Sequence, residues 1–158
     1  MPLKNYTTEV TAMKSVGEIQ GMLVAHGAQA IIISYGADRE PVSLSFNIPT
    51  AQGNISFRLP ANVPAVAKLL VEQLSSSTYR QWDEVYQQQR LAKAHQQANK
   101  VAWHILKDWV DAQLAIIETE MVTVEQVFLP YMLTRDGKLT LYETMVGCGF
   151  QLPEGRGK

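Results

Sequence analysis

The spacing of hydrophobic residues in the first third of the chain changes from helical to alternating. Apolar side chains between residues 16 and 24 recur at the spacing of one helix face, which predicts an amphipathic helix. Ser15 and Glu18 have the spacing of a capping box, so we expect this helix to begin there, and Gly27 supplies a left-handed stop. Tyr6 and Val10 lie on one side of a period-2 pattern and predict a short strand over residues 5–10 ahead of the helix.

Three further apolar segments have the pattern of strands. Residues 30–35 contain a β-branched run, residues 42–48 alternate strictly between apolar and small polar side chains, and residues 55–59 alternate again. Turn-forming residues separate the three segments, so we expect an antiparallel meander with one apolar face. The first helix is the predicted cover for that face, and Asn62 is expected to cap a second helix.

The second half of the chain has a helical pattern. Thr78 and Gln81 form another potential capping box, and neither glycine nor proline occurs from there to Glu118. Such a helix would be about 60 Å long, and its half after residue 101 is apolar nearly all round. An exposed apolar half would require a partner, so we expect an oligomer, most simply a dimer. The alternative for a monomer is a break near Asn99, the weakest helix former between the halves.

These patterns predict the α+β class, with an N-terminal helix-covered antiparallel sheet followed by a long helix and short C-terminal helices. Capping residues at Thr123 and Thr140 start the short helices, and Asp136 with Gly137 marks a turn between them. Residues 1–74 form the predicted sheet unit, and residues 75–152 form a helical region packed with it or with a partner chain. Residues 153–158 are expected to be a flexible tail.

Composition and charge narrow the classes of function. The net charge is −1, and there is one cysteine, Cys148. No apolar run is long enough for a membrane span, and no secretory signal pattern opens the chain, so we expect a cytoplasmic protein without a membrane partner. The charge is uneven, because residues 73–106 carry four basic and two acidic residues, whereas residues 107–158 carry five and eight. Binding to an anionic partner must therefore rest on a local patch.

Common catalytic motifs are absent from the sequence. The sequence contains no phosphate-binding loop, dinucleotide fingerprint, zinc motif or nucleophile elbow. We therefore expect that the protein binds no cofactor and that its function is not catalytic. His104, Asp108 and Asp111 share a helix face, which leaves a metal-dependent enzyme as a third hypothesis. A structural role is favoured for them, since metal ligands usually converge from several elements.

A line of basic residues on the long helix is the main candidate binding site. Arg90, Lys93, Lys100 and Lys107 fall within an arc of about 100°, and we call these four residues the basic stripe. Trp82 lies nearby in sequence, and cations beside a stacking aromatic residue are typical of single-stranded nucleic-acid binding. The alternatives are a solvated helix face with no ligand and a surface that binds a protein partner.

Four segments of the sequence resemble a family of small uncharacterised proteins encoded by bacteriophages and prophages. The segments are residues 16–20 (VGEIQ), 57–62 (FRLPAN), 102–113 (AWHILKDWVDAQ) and 127–133 (VFLPYML). The resemblance extends from about Tyr6 to Tyr142, and its tryptophan-containing segment is the most specific. It implies a phage setting inside a bacterial host cell, and it implies no catalytic residues.

The predicted function is therefore that of a non-enzymatic accessory protein that contacts nucleic acid in phage DNA metabolism. In this hypothesis the sheet and the basic stripe together meet the nucleic acid. The alternative is a phage-encoded inhibitor that binds a host defence or replication protein through its surface alone.

Overall fold

The computed structural model of the protein describes residues 2–76 and 84–155. Within them, the predicted α+β architecture is confirmed, with an N-terminal helix, a sheet, a long helix and short C-terminal helices. The elements in chain order are α1 Ala12–Ala25, β1 Ala30–Tyr35, β2 Pro41–Thr50, β3 Gly53–Pro60, α2 Val63–Ser76, α3 Glu84–Glu118, α4 Val124–Phe128 and α5 Leu141–Gly147, with a 3₁₀ turn at Leu129–Tyr131 after α4. The predicted sheet unit and helical region share one hydrophobic core.

The three strands form the predicted antiparallel meander in the order β1-β2-β3. Ile31 pairs with Phe46, and Phe46 pairs with Phe57, so these side chains point to the same face. Alternate residues point to the other face, where the strands carry mostly small polar side chains such as Ser45, opposite Arg58. The sheet thus has one apolar face towards the core and one polar outer face.

Helices α1, α3 and α4 cover the apolar face of the sheet. The rings of Phe46 and Phe57 stack at 5.2 Å, and Phe128 of α4 meets Phe46 edge-on at 5.3 Å. Trp103 of α3 is fully buried, and its Nε1 donates to the carbonyl of Pro41 at 2.9 Å. Trp109 packs against the same core, so both tryptophans of the apolar half of α3 contribute to it.

Helix α1 begins one turn earlier than predicted. Thr11 is its N-cap, with the side-chain oxygen accepting from the Lys14 amide, so the capping box expected at Ser15 is wrong. The physical reason is that Ala12 belongs to the buried face together with Val16, which extends the helical spacing backwards. Ser15 is buried instead, and its hydroxyl has no hydrogen-bond partner among the described residues. The stop at Gly27 is confirmed by its φ of 100°.

The strand predicted over residues 5–10 is wrong. Residues 4–7 form a turn, with Asn5 at a φ of 60°, and residues 8–11 are irregular. Gln97 of α3 donates its Nε2 to the carbonyls of Tyr6 and Thr8, at 3.0 and 2.9 Å. These carbonyls are therefore satisfied by a helix side chain, and the segment lies along α3 without joining the sheet.

Helix α3 is continuous from Glu84 to Glu118, so no break occurs near Asn99. Its 35 residues correspond to a length of about 50 Å. The apolar half is buried within the same chain, with Val101, Trp103 and Val110 fully covered. A second cluster joins α2 to the middle of α3 through Leu70, Ala94 and Ala98. The oligomer was expected because the apolar half of this helix would be exposed in a single chain, and that reason is wrong. Oligomerisation itself stays a prediction.

The C-terminal elements follow the predicted signals and add one feature that the sequence did not show. The capping box of Thr123 and Gln126 is present, Thr140 caps α5, and Gly137 adopts a positive φ in the turn. Met132 forms an unpredicted bridge with Phe57, so the chain after α4 pairs with the free edge of β3. Residues 153–155 lie in neither helix nor strand.

Candidate functional site

The basic stripe lies on an uninterrupted helix, but its members have different surroundings. Trp82, which was predicted to lie beside it, falls outside the described residues. Lys93 is exposed, Arg90 is partly buried, and Lys100 and Lys107 retain 34% and 21% of their side-chain exposure. From Lys93 onwards, the stripe therefore becomes more buried towards its C-terminal end.

Lys107 is engaged within the protein. Its Nζ lies 2.9 Å from Oδ1 of Asp108 and 3.9 Å from Oε2 of Glu18 on α1. The hydrogen bond to Asp108 raises the pKa of Lys107 above its ordinary value, so the ammonium is charged and already neutralised by carboxylates. A phosphate would have to compete with both carboxylates at this position.

Lys100 makes a looser contact. Its Nζ lies 3.9 Å from Oε2 of Glu9, whose side chain is 92% exposed. An ion pair of this length between exposed groups contributes about 0–1 kcal/mol. Lys100 can therefore exchange Glu9 for another anion at low cost.

Asp108 anchors the N-terminal segment to α3. Its Oδ2 accepts from Asn5 at 2.9 Å and lies 3.2 Å from Nζ of Lys4, and its Oδ1 faces Lys107. Burial alone would raise the pKa of Asp108, but the hydrogen bonds from Lys107, Asn5 and Lys4 outweigh it and hold the pKa well below its ordinary value. Asp108 is thus an ionised structural acceptor.

His104 belongs to the same anchor. Its Nδ1 forms a 2.7 Å hydrogen bond with the Thr8 hydroxyl, and its Nε2 is 3.9 Å from Asp108, whereas Asp111 is exposed. In the described part of the chain, no three His, Cys, Asp or Glu side chains come together as a metal ion would require. The structure therefore gives His104 and Asp108 a role in holding the N-terminal segment, and it offers no support for the hypothesis of a metal-dependent enzyme.

Sequence reasoning missed this anchoring role, although a signal was present. Gln97, His104 and Asp108 are seven and four residues apart, so they share a helix face with Lys100 and Lys107. Polar side chains that follow one face of a helix whose other faces are largely apolar indicate that this face contacts polar groups of another segment. The identity of that segment, residues 4–9, does not follow from the spacing.

The outer face of the sheet lies away from the stripe. The apolar face of the sheet packs on α1 and α3, so the polar face is turned away from both helices. Arg58 on this face donates to the carbonyl of Lys138 at 3.1 Å and pairs with Glu143 at 3.4 Å. Arg58 therefore connects the C-terminal elements to β3. Because the polar face of the sheet is turned away from α3, the sheet and the basic stripe do not form one continuous surface.

The first two thirds of α3 have a distinctive charge pattern. Residues 85–107 contain the four cations of the stripe and no aspartate or glutamate. Arg90, Lys93 and Lys100 therefore have no carboxylate four residues away along the helix, where a charge-balancing partner would lie. The carboxylates of Glu9, Glu18 and Asp108 approach this stretch and contact Lys100 and Lys107.

None of the helices in the described part of the chain is long and apolar enough to cross a lipid bilayer. Comparison with protein-family models, with curated proteins and with solved structures finds no match to this chain. The resemblance to phage proteins therefore stays a prediction.

Proposed function

We propose that the protein is a non-enzymatic nucleic-acid-binding protein of phage DNA metabolism and that it contacts phosphates with the N-terminal half of α3. The observation that supports this proposal is the stretch of residues 85–107, which carries four cations and no acidic residue. Lys93 is exposed on it, and the ion pair of Lys100 with the exposed Glu9 is a long one.

The expected binding is electrostatic and independent of base sequence. The stretch offers lysine and arginine side chains along one helix face, and their contacts with phosphates carry no information about base sequence. Each phosphate contact releases counterions, so the logarithm of the affinity falls with the logarithm of the salt concentration by about 0.9 per duplex phosphate or about 0.7 per single-strand phosphate. Two contacts, at Lys93 and Lys100, account for a slope of about 1.4 to 1.8.

Fluorescence anisotropy with random-sequence oligonucleotides at several salt concentrations tests the proposal. The variant carries Lys93→Gln and Lys100→Gln, which preserve helix propensity and remove two positive charges. The matched control carries Lys68→Gln and Lys138→Gln, two exposed lysines outside α3. We expect the slope to fall by about 1.4 to 1.8 in the first variant and to change little in the control.

Two results would contradict the proposal. One is an unchanged slope in the α3 variant with a native circular dichroism spectrum. The other is an equal change in both double variants, because that would assign the salt dependence to net charge and not to α3.

A specific observation also favours the alternative, an inhibitor that binds a host protein. An apolar groove of about 320 Å³ runs between α2 and α3, where Leu69 is 44% exposed beside Ile105, Trp109 and Tyr131. Exposed apolar surface of this kind is typical of protein-binding sites. A host protein that is retained in the presence of nuclease, lost with Leu69→Glu and kept with Leu152→Glu would support this alternative, since Leu152 is exposed outside the groove.

A further inference from the structure

Strand β1 forms an open edge of the sheet. The strand order β1-β2-β3 leaves one side of β1 without a neighbouring strand, and the hydrogen bonds of the described residues join residues 30–35 to β2 alone. The opposite edge is covered, because the Leu133 amide donates to the carbonyl of Ser56 on β3 at 2.8 Å. Within the described structure, β1 therefore presents backbone N–H and C=O groups that a further strand would pair with.

The sequence of β1 does not protect this edge. Exposed edge strands typically carry a lysine, a proline, an inward-pointing charge or a bulge, each of which hinders pairing with another chain. Residues 30–35 (AIIISY) contain neither a charged residue nor a proline, and the register irregularity lies at the end of the strand, between Ser34 and Tyr35. The edge is therefore open to a further strand along residues 30–34.

The isoleucines of β1 are incompletely covered on both faces of the sheet. Ile32 lies opposite Ser45 on the outer face and is 66% exposed. On the inner face, Ile31 and Ile33 pack against the core but stay partly exposed, whereas Leu44, which pairs with Ile33, is fully buried. The core thus ends incompletely at β1, and a further strand would cover apolar surface on both faces.

We propose that β1 pairs with β1 of a second copy of this chain, in antiparallel orientation, and that the two sheets form one continuous sheet. Residues 30–34 have the order small, Ile, Ile, Ile, small, which is the same in both directions. A two-fold axis at Ile32 places Ile32 opposite its own counterpart, Ile31 opposite Ile33 and Ala30 opposite Ser34. Because this axis is perpendicular to the sheet, the apolar faces of both copies lie on the same side.

The self-complementary order favours a second copy over a strand from another protein. Isoleucine meets isoleucine on both faces of the junction, and such β-branched cross-strand pairs stabilise a sheet. The strand carries no charge, so self-pairing opposes no like charges. This inference is independent of the proposed function, because it requires neither α3 nor nucleic acid.

Sedimentation equilibrium of the full chain between about 5 and 500 µM tests the inference. The pairing is short, so we expect a reversible dimer with a Kd of about 1–100 µM. Ile32→Lys opposes two like charges at the axis and should weaken dimerisation at least about tenfold, while its exposed position keeps the monomer folded, as followed by circular dichroism. Val146→Lys is the control, since Val146 is 52% exposed on α5, and it should dimerise as the wild type does.

Disulfide cross-linking tests the register in a Cys148→Ser background, which removes the one natural cysteine. Ile32→Cys should form a disulfide-linked dimer under mild oxidation, because residues directly opposite each other have Cβ atoms about 4.5–5.5 Å apart. Ser34→Cys is the control. Its counterpart lies four residues, or about 13 Å, further along the strand, so cross-linking should be at least about tenfold slower.

Three results would overturn the inference. A monomer at every concentration would leave the edge to a strand of another protein. A dimer that is weakened by Val146→Lys and not by folded Ile32→Lys would place the interface on α5. Equal cross-linking of the two cysteine variants would exclude the register centred on Ile32.

Discussion

Replacing Asp108 with asparagine is expected to loosen the N-terminal segment from α3. The carboxylate receives Lys4 and Asn5 from that segment and Lys107 from its own helix. Asparagine is nearly the same size, but its amide nitrogen cannot accept a hydrogen bond and the residue carries no charge. The substitution therefore removes the two ion pairs while it leaves the packing of α3 unchanged.

The expected loss of stability is about 1–2 kcal/mol at pH 7. Hydrogen bonds to charged groups contribute about 1.5–3 kcal/mol when they are shielded from water. The Asp108 side chain is 25% exposed, and exposed ion pairs contribute about 0–1 kcal/mol, so the combined contribution lies well below the sum for three buried bonds.

The loss of stability caused by Asp108→Asn should become smaller as the pH falls. The hydrogen bonds to Asp108 outweigh its burial and lower its pKa in the folded protein, whereas the unfolded chain has the ordinary value of about 3.9. The stabilisation is therefore complete above about pH 5 and is lost as the pH falls through the unfolded value towards the folded one. The difference between the wild type and Asp108→Asn should shrink steadily below about pH 4.

Urea denaturation at several pH values measures this difference, with Asp111→Asn as the control. Asp111 is exposed on the same helix, so its variant should change stability by less than about 0.5 kcal/mol. Trypsin cleavage after Lys4 should also become faster in Asp108→Asn, because local opening exposes the segment. The reasoning is refuted if both variants are equally stable at pH 7, or if their difference stays constant down to pH 3.

Three further substitutions test the fold, each by urea denaturation against the wild type. Trp103→Phe leaves the Pro41 carbonyl without its donor and creates a small void, so it should cost about 2–3 kcal/mol. Ser15→Ala removes a buried hydroxyl that has no partner in the described chain and improves helix propensity, so it should stabilise by about 1 kcal/mol. Gly27→Ala meets no neighbouring atom but must adopt a φ of 100°, which should cost about 1–2 kcal/mol.

The sheet could be predicted from the sequence because its physical requirements are local. One face is buried and the other is polar, so strict alternation along residues 42–48 encodes both the strand and its orientation. Turn residues such as Gly53, with its φ of 101°, mark where the chain reverses. The capping box at Thr123 is equally local, and it too was predicted correctly.

The errors occurred where distant residues decide the structure. The alternation of Tyr6 and Val10 resembles a strand, but Gln97 takes the carbonyl groups that a neighbouring strand would have used. Thr11 and Ser15 are both suitable caps for α1, and the burial of Ala12 decides between them. Local sequence rules do not contain such contacts, because the partners are separated by the length of the chain.

The basic stripe shows the same limit within one helix, and it leads to a final prediction. A helical wheel places Lys93 and Lys107 on one face, but it does not show that Asp108 and Glu18 already neutralise Lys107. A phosphate at Lys107 must displace two carboxylates, whereas at Lys93 it displaces water. Lys107→Gln should therefore lower stability by about 0.5–1 kcal/mol and leave the salt slope of oligonucleotide binding unchanged. A folded Lys107→Gln variant with native stability and a slope reduced by about 0.7 to 0.9 would show that Lys107 also contacts a phosphate, against this reasoning.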